Sequence, residues 1–136
     1  MKNKSIVIVG GGHAGVEASL AIANIGIQAI LVTMDINSIG RMSCNPAIGG
    51  LGKGHLVKEI DALGGIMGRA ADMCGLQFKT LNTSKGRAVW SPRAQIDKKK
   101  YSAYIQKHIF EHNNIRIIQD EVVDYSVNSS VIDGVF

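Results

Sequence analysis

The sequence predicts an α/β fold: a Rossmann-like dinucleotide-binding domain with a parallel sheet, running at its end into a β-hairpin or meander. Three observations carry this. A β-branched apolar run, SIVIV at residues 5–9, is followed at once by the glycine pattern Gly10-Gly11-Gly12-His13-Ala14-Gly15. A helical stripe comes next, and a second apolar run, QAILVT at residues 28–33, closes a strand-helix-strand unit. So short a crossover implies parallel pairing with a right-handed connection.

Taken in order, residues 5–9 read as a strand covered on both faces and are expected at the centre of the sheet. Residues 14–25 place Val16, Leu20 and Ala23 on one helical stripe, with Gly26 where a left-handed cap belongs. Glu17 reads as an exposed residue of that helix, although an acid there also suits a flavoprotein opening. Residues 35–54 are rich in Gly, Ser, Asn and Pro and are expected to form a long functional loop. Residues 56–63 predict an amphipathic helix closed by Gly64-Gly65, and residues 69–73 a short helix ended by Gly75. Residues 76–82 alternate and predict an edge strand. Residues 93–112 predict a long helix with Ala94, Ile96, Tyr101, Tyr104, Ile105, His108 and Ile109 on its apolar face, and Lys98-Lys99-Lys100 as a solvated run. Residues 115–119 predict a third parallel strand, and residues 122–127 with 131–136 a hairpin around Asn128-Ser129-Ser130.

Composition sets outer limits. Hydrophobic residues make up 46% and charged residues 19% of 136, ordinary proportions for a globular domain and unlike a disordered chain. The net charge of +4 predicts at most weak, salt-dependent attraction to polyanions. Cys44 and Cys74 lack the spacing of a zinc site or a disulfide framework, so no metal is expected and a reducing cytoplasm is the simplest setting. The opening MKNKS carries no signal or transit pattern, and no apolar run reaches the length that spans a bilayer.

The chemistry concentrates in the glycine loop. Gly10 permits the tight turn off the strand, Gly12 lets backbone approach a pyrophosphate, and Gly15 lets the helix pack closely on the sheet. The phosphates then rest on the positive end of the helix beginning at Ala14. His13, at the loop's mouth, is assigned to its geometry. A carboxylate is expected after the second strand to accept from the adenosine ribose. Thr33 stands at that spacing and Asp35 follows it, so either the Thr33 hydroxyl or the Asp35 carboxylate makes that contact.

Cys44 lies in the long loop near the carboxyl edge of the sheet, where a thiol can serve as nucleophile or redox partner; burial statistics favour an inert, buried side chain. Cys74 reads as core. Lys53, His55, residues 82–87 (NTSKGR) and Arg93-Ala94-Gln95 gather basic and polar groups in loops, suited to an anion, a flavin ring, RNA phosphate or solvent alone.

Three stretches go further: GGGHAGVEA, then MSCNPAIGGLGKGHLVKEIDALGG at residues 42–65, then LNTSKGRAVWSPRAQID at residues 81–97. Together they resemble the MnmG (GidA) family, FAD-dependent enzymes that modify the wobble uridine of certain tRNAs. The resemblance implies that residues 10–15 bind the FAD pyrophosphate, that the backbone of Val122 contacts the adenine, and that Cys44 is the flavin-proximal cysteine. It also implies NADH and methylene-tetrahydrofolate as cosubstrates, tRNA as substrate, an MnmE-type GTPase subunit as partner, a homodimer, and no membrane. Two positions depart from the family pattern: Arg87 replaces a usual Pro, and Asp35-Ile36-Asn37 replaces Asn-hydrophobic-Asp. Family members are several times longer, so residues 1–136 are expected to be the N-terminal portion of an FAD/NAD(P)-binding domain, marginally stable and inactive alone. A related folate- and FAD-dependent tRNA uracil methyltransferase, and a non-catalytic truncated nucleotide-binding remnant, are the alternatives.

Overall fold

The computed structural model describes residues 5–136. Strand β1 (Ser5–Val9), helix α1 (His13–Asn24) and strand β2 (Gln28–Thr33) form the expected unit, with β1 and β2 parallel. Apolar α1 residues Val16, Leu20 and Ala23 are buried as the stripe predicts, and Gly26 closes the helix at φ +82°. The buried Ser19 hydroxyl donates to the Gly15 carbonyl at 2.7 Å, which settles a polar group inside the packed face.

The sheet order is β1-β2-β6, with β6 (Ile115–Gln119) the third parallel strand. The central strand is therefore β2, not β1. Among the described residues β1 is paired along one edge only, and Val9 is 57% exposed. A β-branched run reports a fit to a pleated surface, not a place in the sheet order; Ala29, Leu31 and Val32 of β2 are the buried residues.

A second, antiparallel sheet of order β3-β5-β4 was hidden in the sequence. It contains β3 (Ala47–Gly49), β4 (Gly75–Leu81) and β5 (Ser91–Ile96), with β4 at the edge as expected. The predicted helix at residues 93–112 is thus two elements: β5, then α4 (Lys98–Phe110), which begins where the Asp97 carboxylate accepts from the amides of Lys99 and Lys100 at 3.0 and 3.1 Å. Ala94 and Ile96 are buried, but through the two-residue period of a strand. Tyr101, Ile105 and Ile109 of α4 are buried on a true helical stripe, and the three lysines are exposed.

The long loop is likewise more regular than predicted, containing β3 and a 3-10 turn at Ile36–Ser38. Helices α2 (Gly54–Ala62) and α3 (Met67–Cys74) start slightly before the predicted points; Gly64 between them sits at φ +85° and Gly75 caps α3. The hairpin is shorter than expected, β7 (Tyr125–Asn128) with β8 (Val131–Val135), so residues 122–124 lie outside its ladder. Positive φ at both Ser129 and Ser130 matches the primed turns whose twist suits a hairpin. No described helix is long and apolar enough to cross a membrane.

One core joins these layers: Val16, Leu20 and Leu31 from the parallel unit, Ile48, Ala94 and Ile96 from the antiparallel sheet, Ile66 and Ala71 from the α3 region, and Tyr101, Ile105 and Ile109 from α4. Ile105 also packs where Gly40, at φ +68°, would place a Cβ only 2.6 Å from its Cγ2. Ile105→Ala is expected to cost about 2–5 kcal/mol by opening a cavity, whereas Leu63→Ala, at a side chain 89% exposed, should change stability by less than about 0.5 kcal/mol. Urea unfolding midpoints of both variants check this, and equal losses would contradict the assignment of α4 as the core's closing element.

Candidate dinucleotide-binding site

The chain leaves β1 through Gly10, at φ +98°, whose amide donates to the Val32 carbonyl at 2.8 Å. Only glycine adopts that backbone without strain. Five residues on, α1 passes so close to this turn that a Cβ on Gly15 would lie 1.9 Å from the Gly10 oxygen. Gly11 faces inward: its Cβ would meet Ile39 Cγ1 at 2.9 Å and Thr33 Oγ1 at 3.1 Å, and its carbonyl accepts from the Gly40 amide at 2.9 Å. Gly12 differs from both. It has ordinary extended backbone, φ −71° and ψ −176°, and a Cβ there would meet no atom within 4 Å. The space over Gly12 is open, while Gly11 and Gly15 are closed by the protein itself. It caps α1, which has no capping side chain and no acid in its first turn, so the first amides face outward as positive partial charges.

Because β1, β2 and β6 are parallel, the segments leaving them emerge at one edge. That edge collects the glycine loop, then Thr33 and Asp35, then the run containing Val122, which is half-buried; the Asp120 amide donates to the Thr33 carbonyl at 3.0 Å. The Thr33 hydroxyl is buried and donates to the Asp35 carbonyl at 3.4 Å. The Asp35 carboxylate accepts from the Asn37 amide at 2.9 Å and from the Ser38 hydroxyl. These bonds, led by that of Ser38, hold its carboxyl below the usual range, so Asp35 is anionic at neutral pH.

A cavity of about 460 Å3 adjoins the loop, lined among others by His13, Cys44, Lys53, Ile60 and Met67. Cys44 is exposed, contrary to the expectation of an inert buried thiol, and Cys74 is buried as expected. Polar loop residues around Cys44 cannot enclose a side chain; the Lys98 ammonium donates to the Cys44 carbonyl at 2.5 Å from outside. His13 stands edge-on to buried Tyr101, ring centroids 5.6 Å apart. Burial lowers the His13 pKa, against the nearby Glu17 charge, which raises it. Arg93 lies apart, in a second cavity of about 420 Å3 between α2, α3 and the antiparallel sheet.

Glu17 is the residue the sequence most understated. It is not an exposed helix residue: its carboxylate accepts from the Ile66 amide at 3.1 Å and the Met67 amide at 2.7 Å, closing the start of α3 across 50 residues. Gly65 leaves room for this carboxylate, since a Cβ there would lie 2.6 Å from Glu17 Oε2.

The parallel strand-helix-strand unit, with a glycine loop at the sheet's carboxyl edge, places the chain in the Rossmann-like α/β class. Within that class, residues 5–136 match the family described as glucose inhibited division protein A, and the chain belongs to that family. It is 54% identical over 130 residues to the tRNA uridine 5-carboxymethylaminomethyl modification enzyme MnmG of Aquifex aeolicus, and 51% identical to that of Chlorobaculum tepidum. Each alignment covers 96% of this chain and 21% of the relative, so the chain spans about a fifth of their length. The crystal structure of Aquifex aeolicus GidA in its form II superposes with a TM-score of 0.93 at 53% identity, covering 97% of this chain and 22% of that one. The p-nitrophenol 4-monooxygenase PnpA of Pseudomonas putida, at 14% identity and a TM-score of 0.57, shares the fold alone.

Two outcomes follow from this geometry. Gly15→Ala should destabilise the fold by at least about 2 kcal/mol through its clash with the Gly10 carbonyl, while Gly12→Ala should leave the melting temperature near that of the wild type; similar melts for the two would refute the packing described. His13, depressed in the folded state, binds its proton more readily when unfolded. Its contribution is therefore whole above the ordinary histidine pKa of about 6.5 and falls as pH drops through that value. The melting temperature should decline less between neutral and mildly acidic buffer in His13→Gln than in the wild type, and an unchanged decline would count against a buried neutral His13.

Proposed function

We propose that residues 5–136 are the FAD-binding N-terminal portion of a cytoplasmic enzyme that adds a carboxymethylaminomethyl group at C5 of the tRNA wobble uridine, working with a GTPase partner. The observation that carries this reading is the contrast at Gly12 and Gly15: Gly15 is demanded by the protein's own packing, while Gly12, at the N-terminal cap of α1, leaves space that the protein does not fill. The names of the 54% and 51% identical relatives support the tRNA substrate. NADH, methylene-tetrahydrofolate and the homodimer come with the same reading and belong to the longer protein.

FAD, when bound, supplies two-electron redox chemistry. The chain's own part is to bind, orient and exclude water. Gly10 and Gly15 fix the turn against α1, and the amides from Gly12 to Gly15 would hold the pyrophosphate. Asp35 is the better placed ribose acceptor, because its carboxylate is ionised and already oriented by Asn37 and Ser38, while the Thr33 hydroxyl is buried toward Gly11. The Val122 backbone lies at the same edge for the adenine. Cys44, exposed and lining the same cavity as His13, has the access to substrate that a reacting thiol needs.

The test is flavin content in a protein carrying this segment at full family length. Gly12→Val should purify without the flavin absorbance of the wild type yet unfold at a temperature similar to that of the flavin-free wild type, since the valine meets ligand and not protein. Asp35→Ala should weaken FAD binding by about 1–2 kcal/mol. Full flavin occupancy in Gly12→Val would remove the basis of the assignment, and loss of affinity in Thr33→Val alone would move the ribose contact to the hydroxyl.

A further inference from the structure

Away from the dinucleotide edge, β4 and β5 are joined by residues 82–90, an exposed loop whose order comes from its own hydrogen bonds. Asn82 takes a left-handed conformation at φ 60°, its carbonyl accepts from the Lys85 amide at 2.9 Å, and its side-chain amide reaches the Val89 carbonyl at 3.5 Å. The Trp90 indole N–H donates to the Lys85 carbonyl at 3.2 Å, which fixes the ring, and the Arg87 guanidinium lies 5.6 Å from the ring centroid. Held in this way, the ring remains 43% exposed and neighbouring Val89 47%. An aromatic side chain tied down at its polar atom yet open to solvent is unusual for a loop with no core beneath it.

The surrounding charge has one sign. From residue 73 to residue 96 the sequence contains Lys79, Lys85, Arg87 and Arg93 and no Asp or Glu. Asp61 and Asp72 share the wall of a cavity with Lys58, Lys79 and Arg93, so acids offset most of the charge there, while residues 82–90 carry Lys85 and Arg87 and no acid. A fixed indole with a guanidinium across it, in a loop that also carries Lys85, offers a base a stacking surface and its phosphate a cation. An acidic peptide would use the cations but has no demand for an ordered, exposed indole.

We propose that this loop is a contact surface for single-stranded RNA, with an unpaired base stacked on Trp90 and Arg87 and the adjoining phosphate held by Lys85. The partner class rests on the tRNA reading above, because a wobble uridine sits in an unpaired loop whose bases are free to stack. Residues 82–90 are not among those lining the cavity beside the glycine loop.

The experiment uses the flavin-loaded protein at full family length, with a synthetic anticodon stem-loop RNA, a fully paired RNA and heparin as probes. Trp90→Ala should weaken stem-loop binding by at least about 5-fold and leave duplex and heparin binding unchanged. Arg87→Gln should lower the slope of log affinity against log salt by about 1. Both should retain wild-type flavin absorbance, and Arg87→Gln keeps the test valid if Trp90→Ala proves unstable. Wild-type RNA affinity in both flavin-loaded variants would overturn the surface while leaving the tRNA reading intact. Equal losses for RNA and heparin, with no effect of Trp90→Ala, would overturn it in favour of a plain polyanion patch. Failure of the wild-type protein to bind the stem-loop would overturn both readings.

Discussion

Between Gly15 of α1 and the carbonyl of Gly10 there is no room for one further carbon atom. That closeness sets where α1 starts, and with it where the positive end of the helix points. It also brings the helix down onto the sheet far enough for Val16 and Leu20 to meet Leu31 in the core. Gly11 then packs beneath the turn against Ile39 and Thr33, tying the segment after β2 to the loop after β1. Three adjacent glycines and a fourth within the helix thus do separate jobs: Gly10 supplies a left-handed backbone, Gly11 and Gly15 supply absence of bulk toward protein, and Gly12 supplies absence of bulk toward solvent.

From that fixed helix Glu17 reaches across to α3. Its carboxylate satisfies amides that begin a helix and would otherwise need water or another cap, and the favourable end of the α3 dipole faces the same negative group. The wall of the cavity beside His13 and Cys44, which includes Met67, is in this way tied to the helix that carries the glycine loop. Glycine loop and thiol therefore sit on one connected framework, with Lys98 from α4 holding the Cys44 backbone.

Much of the parallel unit was legible because its signals are local. The run at residues 5–9, the glycines and the stripe of Val16, Leu20 and Ala23 each depend on near neighbours in sequence. What stayed hidden depends on distant partners. Sheet order is one case: β2 is central because β6 arrives from residue 115. The β5–α4 boundary is another, since Ala94 and Ile96 suit either a strand or a helical stripe until β4 pairs beside them. Glu17 was misread for the same reason, its partners lying 49 and 50 residues away. The candidate site was legible as a list of residues. Their division of labour, Gly11 inward and Gly12 outward, was not, because it depends on Ile39 and Thr33 folding under the loop.

Amide hydrogen exchange, compared between flavin-loaded and flavin-free protein of full family length, tests the central claim most directly. If α1 is held against Gly10 to present its first amides to a pyrophosphate, protection on flavin binding should be greatest in the peptide covering residues 10–16, with lesser protection near Asp35 and Val122. Flavin-dependent protection concentrated elsewhere, with residues 10–16 exchanging alike in both states, would contradict it.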